Sequence, residues 1–468
     1  MKARVTFRAL ALGALLLSGL AREADAQVAG TVEEVERLTL DAALEIARRA
    51  NPGYRQAEAA LDLNPIESRA TWANQVLPDV NINLLRTGYG GNLTRRATDF
   101  FGNPIENPEA EWVFNSSTRQ GITLNWTIQG LSLFDAWARQ KQTNVDRTLQ
   151  VDATGWTLGA EVRRSFFDAL EARHLLEVEE SIRESREVDL ESARRLFDIA
   201  QRSRVDVLTA ELQVAQQDQN IQQQLRSYEQ AVLALRTVLG DPDLGPIEPA
   251  EEEIPVFDPS ALDAEALVEL ALRANPTLEQ ARSGVSGARL GVREARRNWY
   301  PSLNLNFDYG RLAQTREAEA FLDLDPQPTE WQSSFSVFLS LPALENYFQD
   351  RADVARAQVE LENQEFGLRE RRLTVEQQVR TEFINLRNQY QSLELATRSL
   401  AIAGETVRLA REEYRLGTRT FEQLQEAVSQ EADARRQVIQ ARYGFVDALL
   451  ALEEAVGRPL APSATGGR

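Results

Sequence analysis

The 468-residue chain has no cysteine. That excludes disulfides, zinc–thiolate sites and an N-terminal lipid on cysteine. Histidine and methionine are each present once, at His174 and Met1, so a relay for soft metal ions has no ligands to use. Beyond Ala26 no apolar run approaches the roughly 20 residues that a membrane-spanning helix needs. Basic charge is short: 52 Lys and Arg against 71 Asp and Glu leave a net −19, which argues against nucleic acid as a partner. Gly-rich phosphate loops, a Gly-x-Ser-x-Gly motif and metal-spaced His or Cys are all missing, and carboxylates are too common for one pair to stand out. No catalytic residue, metal site or cofactor is expected, and the chain does not read as an enzyme.

The N-terminus carries an export signal. Lys2, Arg4 and Arg8 precede an apolar stretch from Ala9 to Leu20, and Ala24-Asp25-Ala26 supplies the small-x-small cleavage site, so residues 1–26 read as a signal peptide. Its removal takes away four basic and two acidic residues, which moves the charge from −19 to −21. The exported chain is then either soluble in the periplasm or a β-barrel protein of an outer membrane, whose strands need only about 9–11 residues each.

The remainder says the same thing twice. Ala50-Asn51-Pro52 recurs as Ala274-Asn275-Pro276, and Pro78 to Leu84 recurs as Pro301 to Phe307. Phe197, Ala210 and Gly240 recur as Tyr414, Ala427 and Gly457 at a constant offset (414 − 197 = 217). The repeats are expected at 27–240 and 261–457, with a linker at 241–260 that holds five of the seventeen prolines and a run of acids, and a tail at 458–468. Residues 27–37 read as irregular. Asn51 and Asn275 each sit as an N-cap before a proline at the first helical position. Pro65 falls inside a helix of the first repeat alone and predicts a kink or break.

Each repeat offers two strands, at about 78–90 and 117–130, then about 301–310 and 332–342. Val80, Ile82 and Leu84 alternate with Asn81 and Asn83; Ile122, Leu124, Trp126 and Ile128 alternate with Thr and Asn. Leu303, Leu305, Phe307 and Tyr309 do the same, as do Phe335, Val337, Leu339 and Leu341, with Phe338 breaking the last pattern. Apolar on one side and small polar on the other suits a strand between lipid and a wet lumen. Tyr89, Trp112, Trp299, Tyr300 and Trp331 gather near the strand ends, as interfacial girdles do. The segments 90–116 and 311–331 read as outward loops.

The helices are longer. Phe134 to about Ile199 and Leu344 to Leu416 are each one helical stretch, the first on the order of 100 Å at about 1.5 Å per residue. Return helices follow, with a coiled-coil seam at Ile221, Leu225, Tyr228, Val232, Leu235 and Leu239, continued in the second repeat by Val438, Phe445, Leu449, Leu452 and Val456. Each return helix reads as half exposed. The fold class is therefore a mixed α/β membrane protein, mostly α and internally duplicated. Four strands cannot close a barrel, and an open edge cannot sit in lipid. Copies must share one barrel, with two giving eight strands and three giving twelve and a passage. A soluble periplasmic coiled-coil scaffold is the rival reading.

The ordered motifs match a known family. The duplication, the Asn-Pro helix starts, the Leu77-Pro78 and Tyr300-Pro301 strand starts, Tyr414-Arg-Leu-Gly417-Thr-Arg-Thr420, Ala441-Arg442-Tyr443 and Ala455-Val456-Gly457 together resemble the TolC-like outer-membrane efflux proteins. That resemblance implies a homotrimer in the bacterial outer membrane, with a shared twelve-stranded barrel in lipid and a periplasmic α-barrel. It implies a periplasmic adaptor and an inner-membrane pump of the RND or ABC type as partners. It implies a gate at the periplasmic tip, where Arg419 bonds Asp206 and Tyr414 joins them. Gln423 and Glu426 fall at the pore constriction, and Gly417, Thr418, Ala200 and Ser203 at the tip that contacts the adaptor. Ala200 and the uncharged Gln423 depart from the family pattern.

Overall fold

The computed structural model describes residues 36–460 except 96, 99, 107–108, 130–131, 255, 298, 316–328 and 342–346. The expected signal peptide, most of the expected loop at 311–331 and the end of the tail lie outside the described residues. The first repeat comprises β1 (Glu36–Leu38), α1 (Leu40–Ala50), α2 (Pro52–Ala59), α3 (Leu63–Val76), β2 (Asp79–Arg95), β3 (Ala110–Gln129), α4 (Ser132–Asp198) and α5 (Arg204–Leu239). β4 (Ile247–Pro249) lies between the repeats, and the second comprises α6 (Ala264–Ala274), α7 (Pro276–Arg297), β5 (Ser302–Thr315), β6 (Thr329–Ser340), α8 (Tyr347–Arg415) and α9 (Phe421–Val456).

The recurring Asn and Gly form one joint, used twice. The Asn51 side chain accepts from the backbone N–H of Tyr54 (3.1 Å), capping α2, and donates through Nδ2 to the carbonyl of Val238 (2.9 Å) at the end of α5. Asn275 accepts from Thr277 N–H (2.9 Å) and donates to the carbonyl of Ala455 (2.8 Å) at the end of α9. Gly240 and Gly457 end those return helices at φ +73° and +82°, and a Cβ there would lie 2.8 Å from the Asn51 Cα and the Ala274 carbonyl oxygen respectively. Only glycine satisfies both the left-handed backbone and the close approach. The break expected at Pro65 is a 3₁₀ turn at Ala60–Asp62, which ends α2 just where the proline would clash with, and fail to bond, the carbonyl of Leu61.

Glu36 and Arg37, expected to be irregular, instead form a strand with Leu38. β1 pairs in parallel with β4 of the interrepeat segment, with Glu36 opposite Ile247 and Leu38 opposite Pro249. Leu38, Ile247 and Ile254 are buried in a cluster with α1, α4 and α5, so the proline-rich segment is stitched to the core rather than loose. Three-residue strands carry no readable period, which is why the pairing is silent in sequence.

β2, β3, β5 and β6 form one antiparallel sheet in that order, so β3 and β5 join the two repeats. Register aligns the alternation across strands. Leu124 lies opposite Val80 and Phe307, and Phe307 opposite Phe335; Trp126, Leu305 and Val337 form the next apolar row, then Ile128, Leu303 and Leu339. On the other face Thr123, Asp308 and Ser334 align, as do Asn125, Asn306 and Ser336, with Thr123 Oγ1 donating to Asp308 Oδ1 (2.7 Å) and Asn306 Nδ2 to Asn125 Oδ1 (2.8 Å). Phe338, which breaks the pattern, sits opposite Asn304 on this polar face.

The strands run further than expected: β2 to Arg95, β3 from Ala110 and β5 to Thr315, so the first loop is shorter than 90–116. A bulge between Asn83 and Arg86 explains why the extension was hidden. Leu84 and Leu85 are adjacent, and one extra residue flips the alternation beyond them. Tyr89, Gly91 and Leu93 then share the outward face with Phe114 and Trp112; the Tyr89 and Phe114 rings stack at 5.5 Å, and Trp112 and Phe114 at 6.1 Å.

No helix among the described residues is long and apolar enough to cross a membrane. α4 and α8, of 67 and 69 residues, pair antiparallel with the 36-residue α5 and α9. The return helices are not equally exposed, contrary to expectation. Seventeen residues of α9 are buried against four of α5, because α9 packs against both α8 and α4 whereas α5 packs on α4 at the rim. Nearer the sheet, α3, α4, α7 and α8 stand in sequence as a wall.

Candidate functional site

The two coiled coils end in tight turns, after α4 and after α8, and these turns meet. Ala200 takes φ +57° in the first and Gly417 takes +83° in the second. Open space surrounds the Cα of Gly417, so its glycine answers a backbone need rather than a steric one. Ser203 caps α5 by accepting from Asp206 N–H (3.3 Å), and its hydroxyl donates to Asp206 Oδ1 (2.8 Å). Thr420 and Gln423 form a capping box at the start of α9. Thr418 Oγ1 donates to the carbonyl of Glu413 (3.0 Å), closing the end of α8.

Tyr414 is the centre of this tip. It is 1% exposed, packs against Phe421 at 5.5 Å and donates through its hydroxyl to Asp206 Oδ2 (3.3 Å). Burial, and then the Asp206 charge, push its hydroxyl up to about 12, so it remains a donor under physiological conditions. Tyr414 and Asp206, both expected at the gate, are thus in contact within the chain. Arg419 is elsewhere within the chain: its guanidinium pairs with Glu413 at 3.3 Å, and no bond from it to Asp206 is formed. Glu413 is exposed and Arg419 half-buried, so the pair is weak and exchangeable.

Arg202 makes the bridge between the turns, and sequence reasoning missed it. Its Nη2 donates to the carbonyls of Tyr414 (2.7 Å) and Arg419 (2.9 Å), while the guanidinium lies over the Tyr414 ring at 4.3 Å. Only arginine joins planar stacking with a multi-donor fork in this way. The signal was present, since Arg202 is the repeat counterpart of Arg419 at the same offset (419 − 202 = 217). Gln423 and Glu426 are exposed at the start of α9, Gln423 engaged in the capping box and Glu426 accepting from Gln430 (2.9 Å).

Above the tip, polar clamps set the register of the coils. Arg411 on α8 binds Asp189 on α4 through two bonds (3.0 and 3.3 Å) and the hydroxyl of Ser185 (2.5 Å). The buried Gln217 on α5 donates to Glu179 on α4 (2.5 Å), which also receives Arg436 of α9 (2.5 Å). A groove of about 840 Å³ opens between α4 and α8 beside these clamps, with Asp189, Arg411, Tyr414 and Glu431 in its wall. No three-carboxylate or histidine group among the described residues could hold a metal ion.

The polar and apolar faces of a curled sheet, continuous with a wall of long helices, are the architecture of a membrane duct. Residues 267–458 match the family described as "Outer membrane efflux protein". The second repeat is an outer membrane efflux protein domain. The fold of the whole chain agrees. A membrane protein from Pseudomonas aeruginosa superposes with a TM-score of 0.70 at 18% identity, covering 89% of this chain and 92% of that one. The CmeC outer membrane channel of Campylobacter jejuni gives 0.68 at 14%, covering 91% and 86%. The open state of the Neisseria gonorrhoeae MtrE outer membrane channel gives 0.66 at 17%, covering 90% and 89%. Among curated proteins none matches the sequence. The efflux domain spans the strands β5 and β6 and both long helices of the second repeat, so the two membrane strands expected in that repeat and the expected tip residues Tyr414 to Glu426 fall within it.

Proposed function

We propose that this outer-membrane efflux protein forms a homotrimeric exit duct whose periplasmic tips open when an adaptor and an inner-membrane pump of the RND or ABC type engage them. One observation carries the assembly: among the described residues, β2 and β6 each pair on one side only, although their apolar rows are fit for lipid. Leu84 (82% exposed), Leu339 (69%) and Leu341 (74%) would stand in water if the chain were a soluble scaffold. Three copies close twelve strands around the polar face of Asp308, Asn125 and Asn306 and leave a wet passage. The exposed rim helix α5 gains a neighbour in the same step.

The tip is the gate. Within a subunit, Arg202, Tyr414 and Asp206 lock the two turns together. The family resemblance implies a bond between Arg419 and Asp206; since none forms within the chain, we place it between copies, where the Arg419 guanidinium exchanges its exposed partner Glu413 for Asp206 of a neighbour. Such a charge-assisted bond is worth about 1.5–3 kcal/mol, small enough for a docking adaptor to overcome. The exposed turn residues Ala200, Ser203, Gly417 and Thr418 form the surface the adaptor meets, and Glu426 lines the constriction and favours cations. Single-channel recording of the detergent-purified protein in a planar bilayer, with its oligomer mass taken from the same preparation, tests the proposal. A trimer with small, steady conductance is expected. A water-soluble monomer with no conductance would overturn it.

A further inference from the structure

A basic groove lies on the outside of the helical wall, directly below the sheet. Its direction follows from the neighbours of α4. Gln140, Asn144 and Arg147 bond α3, while Arg139 and Gln142 bond α7. On the side between those two neighbours Arg139 and Gln140 share a cavity of about 490 Å³ with Gln129, which continues the polar inward row of β3. At about 100° per residue, Phe134, Trp137, Lys141 and Val145 fall on the opposite, outward side of α4. Phe134 and Trp137 are 62% and 66% exposed and, with Trp72 of α3, wall an apolar pocket just below the sheet.

Lys141 is the only lysine after the signal peptide, and it faces Arg289, Arg293 and Arg296, which stand at i, i+4 and i+7 on α7. These four cations rim an open groove of about 710 Å³ floored by Leu290, Val292 and Leu361. No acid lines it, although acids outnumber bases in the chain. Lys141, Arg293 and Arg296 have no hydrogen-bond or ion-pair partner for their side chains among the described residues, and Arg289 has only the exposed Glu365 at 3.2 Å. Lys141 stands nine residues below the start of α4 (141 − 132), roughly 14 Å along the helix axis, which is within reach of a headgroup layer.

We propose that this groove seats an anionic phospholipid of the periplasmic leaflet, with its phosphate between Lys141 and Arg293 and its acyl chain rising past Val292 toward Trp137. Two observations favour lipid over a protein partner: the groove lies one helical turn below the exposed Trp137 on the same face of α4, and a cationic rim above an aliphatic floor matches the two halves of one phospholipid. The proposal rests on the outer-membrane reading and on the outward direction of this face.

The test uses the full-length protein reconstituted in mixed phosphatidylethanolamine and phosphatidylglycerol vesicles, re-extracted, and analysed for retained lipid by mass spectrometry. Conductance is recorded from the same vesicles. Wild-type protein is expected to retain phosphatidylglycerol over phosphatidylethanolamine by roughly tenfold, as a few juxtamembrane cations produce. The K141Q/R293Q/R296Q variant falls to near parity with conductance unchanged, and R293K/R296K keeps the preference. Equal retention by wild type and the glutamine variant overturns the proposal. So does unchanged lipid retention with lost binding to a periplasmic adaptor, which would reassign the groove to protein docking, or loss of the preference on adding inorganic phosphate, which would make it a free-anion site. Vesicles with no conductance would instead bring down the duct reading itself, and this inference with it.

Discussion

The two turns at the tip descend from one repeat, yet they do different jobs. At matched positions, Phe197 is 37% exposed where Tyr414 is 1% exposed. Arg202 reaches across to carbonyls of the other turn, whereas Arg419 stays beside Glu413 on its own. Asp206 accepts from Tyr414, whereas its counterpart Gln423 is spent on a capping box. The first turn supplies the plug and the second the socket. Duplication alone gives two equivalent hairpins; a few polar substitutions at matched positions turn them into a lock.

The largest test of that asymmetry is Tyr414→Ala against Phe197→Ala. Emptying a fully buried aromatic site costs about 3–5 kcal/mol. The loss should fall on the tip, seen as higher closed-channel conductance and faster proteolytic nicking at residues 416–420. Phe197→Ala should produce less than half of either change. Equal effects would mean that the hairpins are energetically alike and the asymmetry is cosmetic.

Next come the paired arginines. Arg202→Ser removes two hydrogen bonds from a cation and its stacking on Tyr414, a loss of about 1.5–3 kcal/mol. It should raise both conductance and tip proteolysis. Arg419→Ser removes a pair that within the chain is worth at most about 1 kcal/mol. It should leave proteolysis of the dissociated subunit unchanged while still raising conductance of the assembled channel. Should conductance stay at the wild-type value in Arg419→Ser, the contact between copies does not exist and Arg202 alone holds the tip.

A finer pair concerns the backbone. Ala200 holds a left-handed conformation without being glycine, a strain of about 1–2 kcal/mol. Ala200→Gly is expected to raise the apparent melting temperature, and Gly417→Ala, at φ +83°, to lower it by a similar amount. Movement of both in one direction would show that the turns are held by contacts rather than by dihedral preference.

How much of this could be read in advance divides along physical lines. The Asn51–Gly240 and Asn275–Gly457 joints left short, matching marks in both repeats, because a cap and a left-handed helix end tolerate few residues. The lipid-facing rows were legible because a period of two exposes its face directly. The bulge at Leu84-Leu85 was not, since it reverses that period and makes the continuation of β2 look like a loop. The β1–β4 pairing was hidden by its brevity. The burial of α9 was hidden because α5 and α9 carry the same seam, and which one is enclosed depends on tertiary order. Arg202 was visible only by applying the repeat offset to a residue whose role came from resemblance, a step that treats the two turns as comparable before their difference is known.

The smallest effect separates the turns by charge. Glu426 has Thr209 as its counterpart (426 − 209 = 217); each is in the second turn of its return helix, Glu426 exposed and Thr209 half-buried. If the constriction is lined by the second repeat alone, three Glu426 side chains form its only acidic ring at this level. Glu426→Gln should then lower the cation-to-anion permeability ratio, and adding Thr209→Glu should not restore it. Both repeats line the pore at that depth if the double variant recovers selectivity, because six equivalent positions then alternate around one ring. Reversal potentials under a salt gradient decide between these, and at low ionic strength, where screening extends over roughly 30 Å rather than 8 Å, the contrast should be greatest.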